Sequence, residues 1–382
     1  MIKLPAHKFK VMGVDENDPF IVNALSDRKH FHPCWCGSGK KYKKCHGIRE
    51  HQEPYNLGRL QSENNKVFWR ERGCMHPLAS PTSCSGKVID SHTIQRKGPL
   101  ERIVDKTGHV MHFEANLNDG EINMSKIGWR KASVFPGYCS GHDSSLFDPI
   151  EKGEFSGQHS HCVLQAFRSI CNESYKKRAL VESLEFLRVL IDRGFDLDGQ
   201  INTQLSYIKN IEWQNKSLEE LENLRAKFES AIIQRKFDIF ESKYYGFQGD
   251  LDVVSSSVFQ CEYDFAGNKL IDMLDLSLDA ETLTHSIMNT ADGGAIVFVW
   301  LKDEHHPGTV VTSFDNLPDD EKGDIFVQYC FLNCENTFFA EQWWKNLSQK
   351  EQTLIQRYAN ALYYEGGKFA ANENRLVNWA FV

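Results

Sequence analysis

From residue 162 onward, apolar side chains recur at intervals of three and four. Leu164, Phe167, Ile170, Cys171, Leu180, Leu184, Leu187 and Ile191 form one stripe that Gly194 can stop, and Ile201, Leu205, Ile208, Leu218, Leu221, Leu224, Phe228 and Ile232 form another. Two such stripes predict an antiparallel helical hairpin, packed within the monomer because the heptads are too few for a coiled coil. After Tyr244-Tyr245-Gly246 the pattern shortens. Val253, Val254, Val258, Phe259 and Cys261 lie in a β-prone run, and Ala295 to Trp300 is nearly all apolar behind Gly293-Gly294. Val310 to Phe314 and Ile325 to Tyr329 read as two more strands. Ala340 to Tyr364 returns to helix, with Trp343, Trp344, Leu347, Leu354, Ile355 and Tyr358 on the apolar face. Upstream, Asn56 to Arg72 reads as a short helical linker among segments rich in Cys and His. The pattern predicts an α+β chain.

Length divides the picture further, because 382 residues exceed what one core usually serves. The expected domains are 1–55, 56–160, 161–245 and 246–382. No run has the apolar length to span a bilayer, and Met1 to Val14 lacks the basic flank and apolar core of a secretory signal, so a cytoplasmic protein is expected. Eleven Cys, an odd number mostly gathered beside His, suit a reducing compartment rather than a disulfide framework. Cys162, Cys171, Cys261, Cys330 and Cys334 stand apart and read as core thiols. A net charge of −8 opposes nonspecific nucleic-acid binding by the whole molecule. Yet Arg28 to Arg72 holds eleven Lys and Arg against four Glu, a local positive field. The C-terminal region carries no glycine-rich phosphate loop and no serine nucleophile elbow, and His305-His306 before Pro307-Gly308 reads as a polar turn.

The densest chemistry lies in Cys34-Trp35-Cys36-Gly37-Ser38-Gly39-Lys40-Lys41-Tyr42-Lys43-Lys44-Cys45-His46, where four soft ligands in one loop can close a tetrahedral zinc shell. From Pro33 to Gly47 this stretch resembles the SEC-C motif known from the tail of the bacterial translocation ATPase. The resemblance implies structural zinc on Cys34, Cys36, Cys45 and His46, in a module that docks onto a protein partner. Gly37 and Gly39 supply the tight turn a CxC chelate needs.

A second constellation follows. Cys74-Met75-His76-Pro77, Cys84, Ser91-His92, His109 and Cys139-Ser140-Gly141-His142-Asp143 give two ligand pairs separated by a long insert. That order suits a treble clef, in which a knuckle, a hairpin and a helix supply the ligands. Cys74, Cys84, Cys139 and His142 are the ligand choice, and His76 or His92 can replace one of them. Over Gly73 to Tyr175 the motif order resembles an uncharacterised bacterial family and HNH-type, zinc-stabilised ββα-metal nucleases. The resemblance implies that His92 takes a proton from water as general base, while Asp143 holds Mg2+ or Mn2+ with Asp90 as a second carboxylate. Strand alternation places Asp90 and His92 on one face. The pattern departs from HNH proteins in its spread C-x9-C pair and in Ser91 before His92. A zinc-built scaffold without catalysis is the competing reading.

Arg96, Lys97, Arg130 and Lys131, with Arg102 nearby, can hold phosphates, and Trp129 offers a stacking face. The whole reads as a two-zinc protein that engages DNA or RNA, with metal-dependent cleavage in the manner of a bacterial defence effector. Its alternative is an adaptor that recruits a protein partner through the SEC-C module.

Overall fold

The computed structural model describes residues 18–26, 31–115, 121–152, 155–273, 275–364 and 368–382. Met1 to Val14, which the signal reading concerned, lies outside them. In chain order the elements are α1 (Pro19–Leu25), α2 (Leu57–Phe68), β1 (Val88–His92), β2 (His109–Ala115), β3 (Ile122–Gly128), β4 (Val134–Cys139), α3 (Ser140–Glu151), α4 (His159–Arg188), α5 (Leu197–Gln234), β5 (Phe240–Phe247), β6 (Val253–Gln260), β7 (Thr282–Thr290), β8 (Gly293–Leu301), α6 (His305–Asp315), α7 (Asp319–Asn333), β9 (Thr337–Phe339), α8 (Glu341–Asn346) and α9 (Gln349–Tyr364). Helix and sheet are mixed, and the cysteine loop lies between α1 and α2. No helix among the described residues is long and apolar enough to cross a membrane.

The chain forms two compact units. The first takes Met1–Arg70 with Lys176–Glu219, and the second takes Glu71–Tyr175 with Glu220–Val382. In the first unit, Cys34, Trp35, Cys36, Cys45, Ala24 and Ile201 make a small core, with Phe20 and Tyr42 packed on it. The cysteine loop is therefore part of that unit's interior.

The second unit is built on a seven-stranded sheet in the order β3-β2-β9-β6-β7-β8-β5, antiparallel at every pairing. β7 and β8 are buried along their whole length, which matches the near-continuous apolar reading of Ala295 to Trp300. β1 and β4 form a separate two-stranded ribbon, with Ser91 opposite Phe135 and His92 opposite Val134. β2 and β3, which lie in sequence between the two halves of that ribbon, join the large sheet instead.

Two strand expectations fail. Val310 to Phe314 lies in α6 and Ile325 to Tyr329 lies in α7. In α7 every residue from Lys322 to Leu332 is buried, so there is no exposed face to impose a helical rhythm, and an apolar β-branched run then reads as strand. His305 and His306 open α6 rather than forming a turn, with the His306 amide donating to Glu281 Oε2 at 2.5 Å. The helix expected over 340–364 is two. Ser348 and Glu351 form a capping box in which the Ser348 amide donates to Glu351 Oε2 at 2.6 Å and the Glu351 amide to Ser348 Oγ at 3.4 Å, so α9 starts afresh.

Candidate metal centres and the His92 site

The first cluster is held by a miniature turn. The Cys34 amide donates to Lys40 O and the Tyr42 amide to His32 O, each at 2.8 Å, while Gly37 and Gly39 adopt φ of 77° and 70°. Those left-handed values cost a glycine little and a side-chain-bearing residue more. The turn folds Cys34 and Cys36 back onto Cys45 and His46, and the four donor atoms all lie within 4.8 Å of one another in a buried setting. Cys34 Sγ is 3.2 Å and Cys45 Sγ 3.4 Å from His46 Nδ1, and Cys36 Sγ is 3.7 Å from Cys45 Sγ. A tetrahedron with bonds of ~2.0 to 2.3 Å has edges of about 3.3 to 3.8 Å, so the donor set fits zinc.

A group that sequence reading missed completes this centre. His46 Nε2 sits 2.9 Å from Asp192 Oδ2, and the fully buried Asp192 carboxylate also accepts from Arg49 and, at 2.8 Å, from Gln204 Nε2. With its Nε2 proton donated to Asp192, His46 turns the Nδ1 lone pair toward the three sulfurs. Trp35 lies against the same imidazole at 4.3 Å.

In the second cluster Cys74 and Cys84 come from the loop before β1, Cys139 ends β4 and His142 lies in the first turn of α3. Their donor atoms again lie within 4.8 Å, with His142 Nδ1 at 3.4 Å from Cys74 Sγ and 3.6 Å from Cys84 Sγ. The amide of Ser85 donates to Cys139 Sγ and that of Cys139 to Cys74 Sγ, both at 3.4 Å. Such amide contacts favour thiolates and fit a metal-bound state. His76 stacks flat on His142 at 4.1 Å, and its Nδ1 accepts from the Leu78 amide at 3.1 Å. His109 Nδ1 lies 2.9 Å from Thr107 Oγ1.

His92 ends β1. Burial, then the nearby Arg96 and Arg168, lower its pKa to about 4, so the ring is neutral at pH 7. Its Nε2 is covered and has no hydrogen-bond partner among the described residues. Asp143 Oδ1, in the first turn of α3, is also covered and unpartnered, and burial raises its pKa. Both groups sense the same partners, Arg168 and Glu151, which pair at 2.6 Å while the Arg168 guanidinium rests on Phe147 at 3.9 Å. Asp90 is exposed on β1. Arg96, Lys97, Arg130 and Lys131 are all exposed, and Arg96 stands 5.6 Å from the ring of the half-buried Trp129. Arg102 instead pairs with Asp250.

Comparison with known proteins bears on the first cluster. The SEC-C motif family matches residues 33–48. Together with the donor geometry this suggests zinc binding. Two curated relatives match further: the chain is similar to a methionine aminopeptidase of Chlamydia muridarum, at 22% identity over 172 residues, and to one of Chlamydia trachomatis serovar D, at 21% over 172 residues. Each match takes in 42% of this chain and 58% of the relative, so the chain spans little more than half the length of these proteins. At that identity the likeness assigns no activity. No solved structure matches.

Proposed function

We propose that the protein is a zinc-braced nucleic-acid-engaging protein whose second cluster supports a metal-dependent phosphodiester-cleaving pair, His92 and Asp143. The observation that carries this reading is the state of His92: a neutral imidazole whose Nε2 is covered without a hydrogen-bond partner among the described residues, with Asp143 Oδ1 in the same condition and both groups sensing Arg168 and Glu151. A general base needs a neutral ring with a nitrogen not already engaged. The ribbon β1–β4 running directly into α3, with the four-donor cluster at the junction, gives the pair a rigid base. The SEC-C loop and the ribbon would each hold one structural zinc. Mg2+ or Mn2+ near Asp143 would polarise a phosphate, and Arg96, Lys97, Arg130 and Lys131 would position its neighbours along DNA or RNA.

A second reading rests on the covered state of the two reactive atoms. With Nε2 of His92 and Oδ1 of Asp143 sealed from solvent, a phosphate reaches them only after a local opening. A non-enzymatic adaptor, recruiting a protein partner through the SEC-C module, needs no opening.

Plasmid, single-stranded DNA and RNA incubated with the full-length protein in Mg2+ or Mn2+ separate the two. Cleavage abolished by both His92→Ala and Asp143→Ala supports the first reading. Salt-dependent binding without cleavage leaves engagement and removes the nuclease. No binding, together with a stoichiometric protein partner lost on Lys40→Glu/Lys43→Glu, supports the adaptor.

A further inference from the structure

A third group of soft donors lies far from both cysteine loops in sequence. His285 on β7, Cys330 on α7 and Cys334 at the end of α7 place one ligand atom each within 4.8 Å of the others, all three residues buried. His285 Nε2 is 3.7 Å from Cys330 Sγ and 3.6 Å from Cys334 Sγ, close to the 3.4 and 3.6 Å that separate His142 Nδ1 from Cys74 and Cys84. A fourth neutral donor stands at this vertex. Ser255 Oγ lies 3.2 Å from His285 Nε2, within the range of an edge of a tetrahedron with bonds near ~2.0 Å, and contacts Thr337 Oγ1 at 2.9 Å.

We infer that His285, Cys330 and Cys334, with the Ser255 hydroxyl, form a third metal site that takes Zn2+. Cysteine pairs spaced i, i+4 on a buried helix are often packing residues, and two thiols near a ring nitrogen can form weak sulfur hydrogen bonds. What sets this group apart is the convergence of both sulfurs on a single imidazole nitrogen. Ordinary packing of two thiols against a ring has no need of it.

Charge selects the ion. Binding releases the two thiol protons, so that a divalent ion with two thiolates, a neutral imidazole and a hydroxyl carries no net charge. A cuprous ion in the same place would leave one negative charge in a shell that includes Phe259 and Phe326, whose rings lie 5.8 and 5.2 Å from that of His285. His285 would keep its ring proton on Nδ1, which meets no acceptor among the described residues. Such a zinc would tie the end of α7 to β7 of the large sheet, and it is independent of the two N-terminal clusters and of the nuclease reading.

Metal content of the purified full-length protein tests this. Zinc is measured per chain in the wild type and in Cys330→Ala/Cys334→Ala, with the fold checked by circular dichroism. The expected result is one zinc fewer per chain in the variant. Equal zinc in a folded variant overturns the site. Should the variant not fold, anomalous diffraction from wild-type crystals on either side of the zinc edge decides: a peak between His285 Nε2 and the two sulfurs supports the site, and its absence, or a copper signal there, sinks it.

Discussion

Asp192 shows how a residue without ligand chemistry of its own can govern a metal site. It stands 146 positions from His46, yet its buried carboxylate fixes which imidazole nitrogen faces the sulfurs. Replacing Asp192 with Asn is expected to lower zinc retention in the first cluster by about 10- to 100-fold, read by competition with a chromophoric chelator. The four ligands themselves were legible in sequence because the loop keeps them close. Asp192 was not, because an isolated Asp after a helical stripe carries no sign of the partner it will meet. His92 makes a second prediction. In the unfolded chain it takes a proton near pH 6.5, but in the folded chain only near pH 4, so the folded state is favoured above about 6.5 and loses that advantage as pH falls toward 4. His92→Phe should flatten this part of the stability profile relative to wild type, measured by thermal unfolding at a series of pH values. An identical slope in both proteins would refute the assignment.

Among the helices, α7 was the hardest to read, and it is buried throughout from Lys322 to Leu332. Its Phe326 contacts the rings of Phe265, His285, Phe298, Phe314 and Tyr329, and its side chain is fully buried. Phe326→Ala should cost about 3 to 5 kcal/mol in urea unfolding, the range for truncating a large core aromatic. β6, most of β8 and the two long helices were visible as patterns, whereas β2, β3 and β5, which join the same sheet from outside the β-prone region, were not. α7 was not either, since burial on every side from Lys322 to Leu332 erases the alternation of apolar and polar positions on which such reading depends. α6, by contrast, buries Pro307, Val310, Val311 and Phe314 and exposes Thr309, Thr312 and Asp315, a helical rhythm that its β-branched Val310-Val311-Thr312 run concealed. The break between α8 and α9 was encoded in Ser348 and Glu351, a capping signal that the apolar stripe running across it concealed.

At the scale of the molecule, the basic group around Trp129 determines how binding should respond to salt. If Arg96, Lys97, Arg130 and Lys131 each neutralise one phosphate, changing all four to Gln should reduce the slope of log affinity against log salt by about 3 to 4 on duplex DNA, measured by fluorescence anisotropy. An unchanged slope would move the contact elsewhere. Removal of zinc by a strong chelator should loosen residues 31–52, 73–92 and 134–142 before the large sheet, as read by hydrogen exchange, because those segments are tied through the first two donor clusters and lie outside that sheet.

The pairing of Met111 on β2 with Phe339 on β9 has a consequence for how the protein is made. On the ribosome β2 and β3 emerge more than 200 residues before β9, so one edge of that ribbon remains bare for most of synthesis. A nascent chain in this condition invites chaperones, and truncated products that end before residue 337 should be the ones that aggregate.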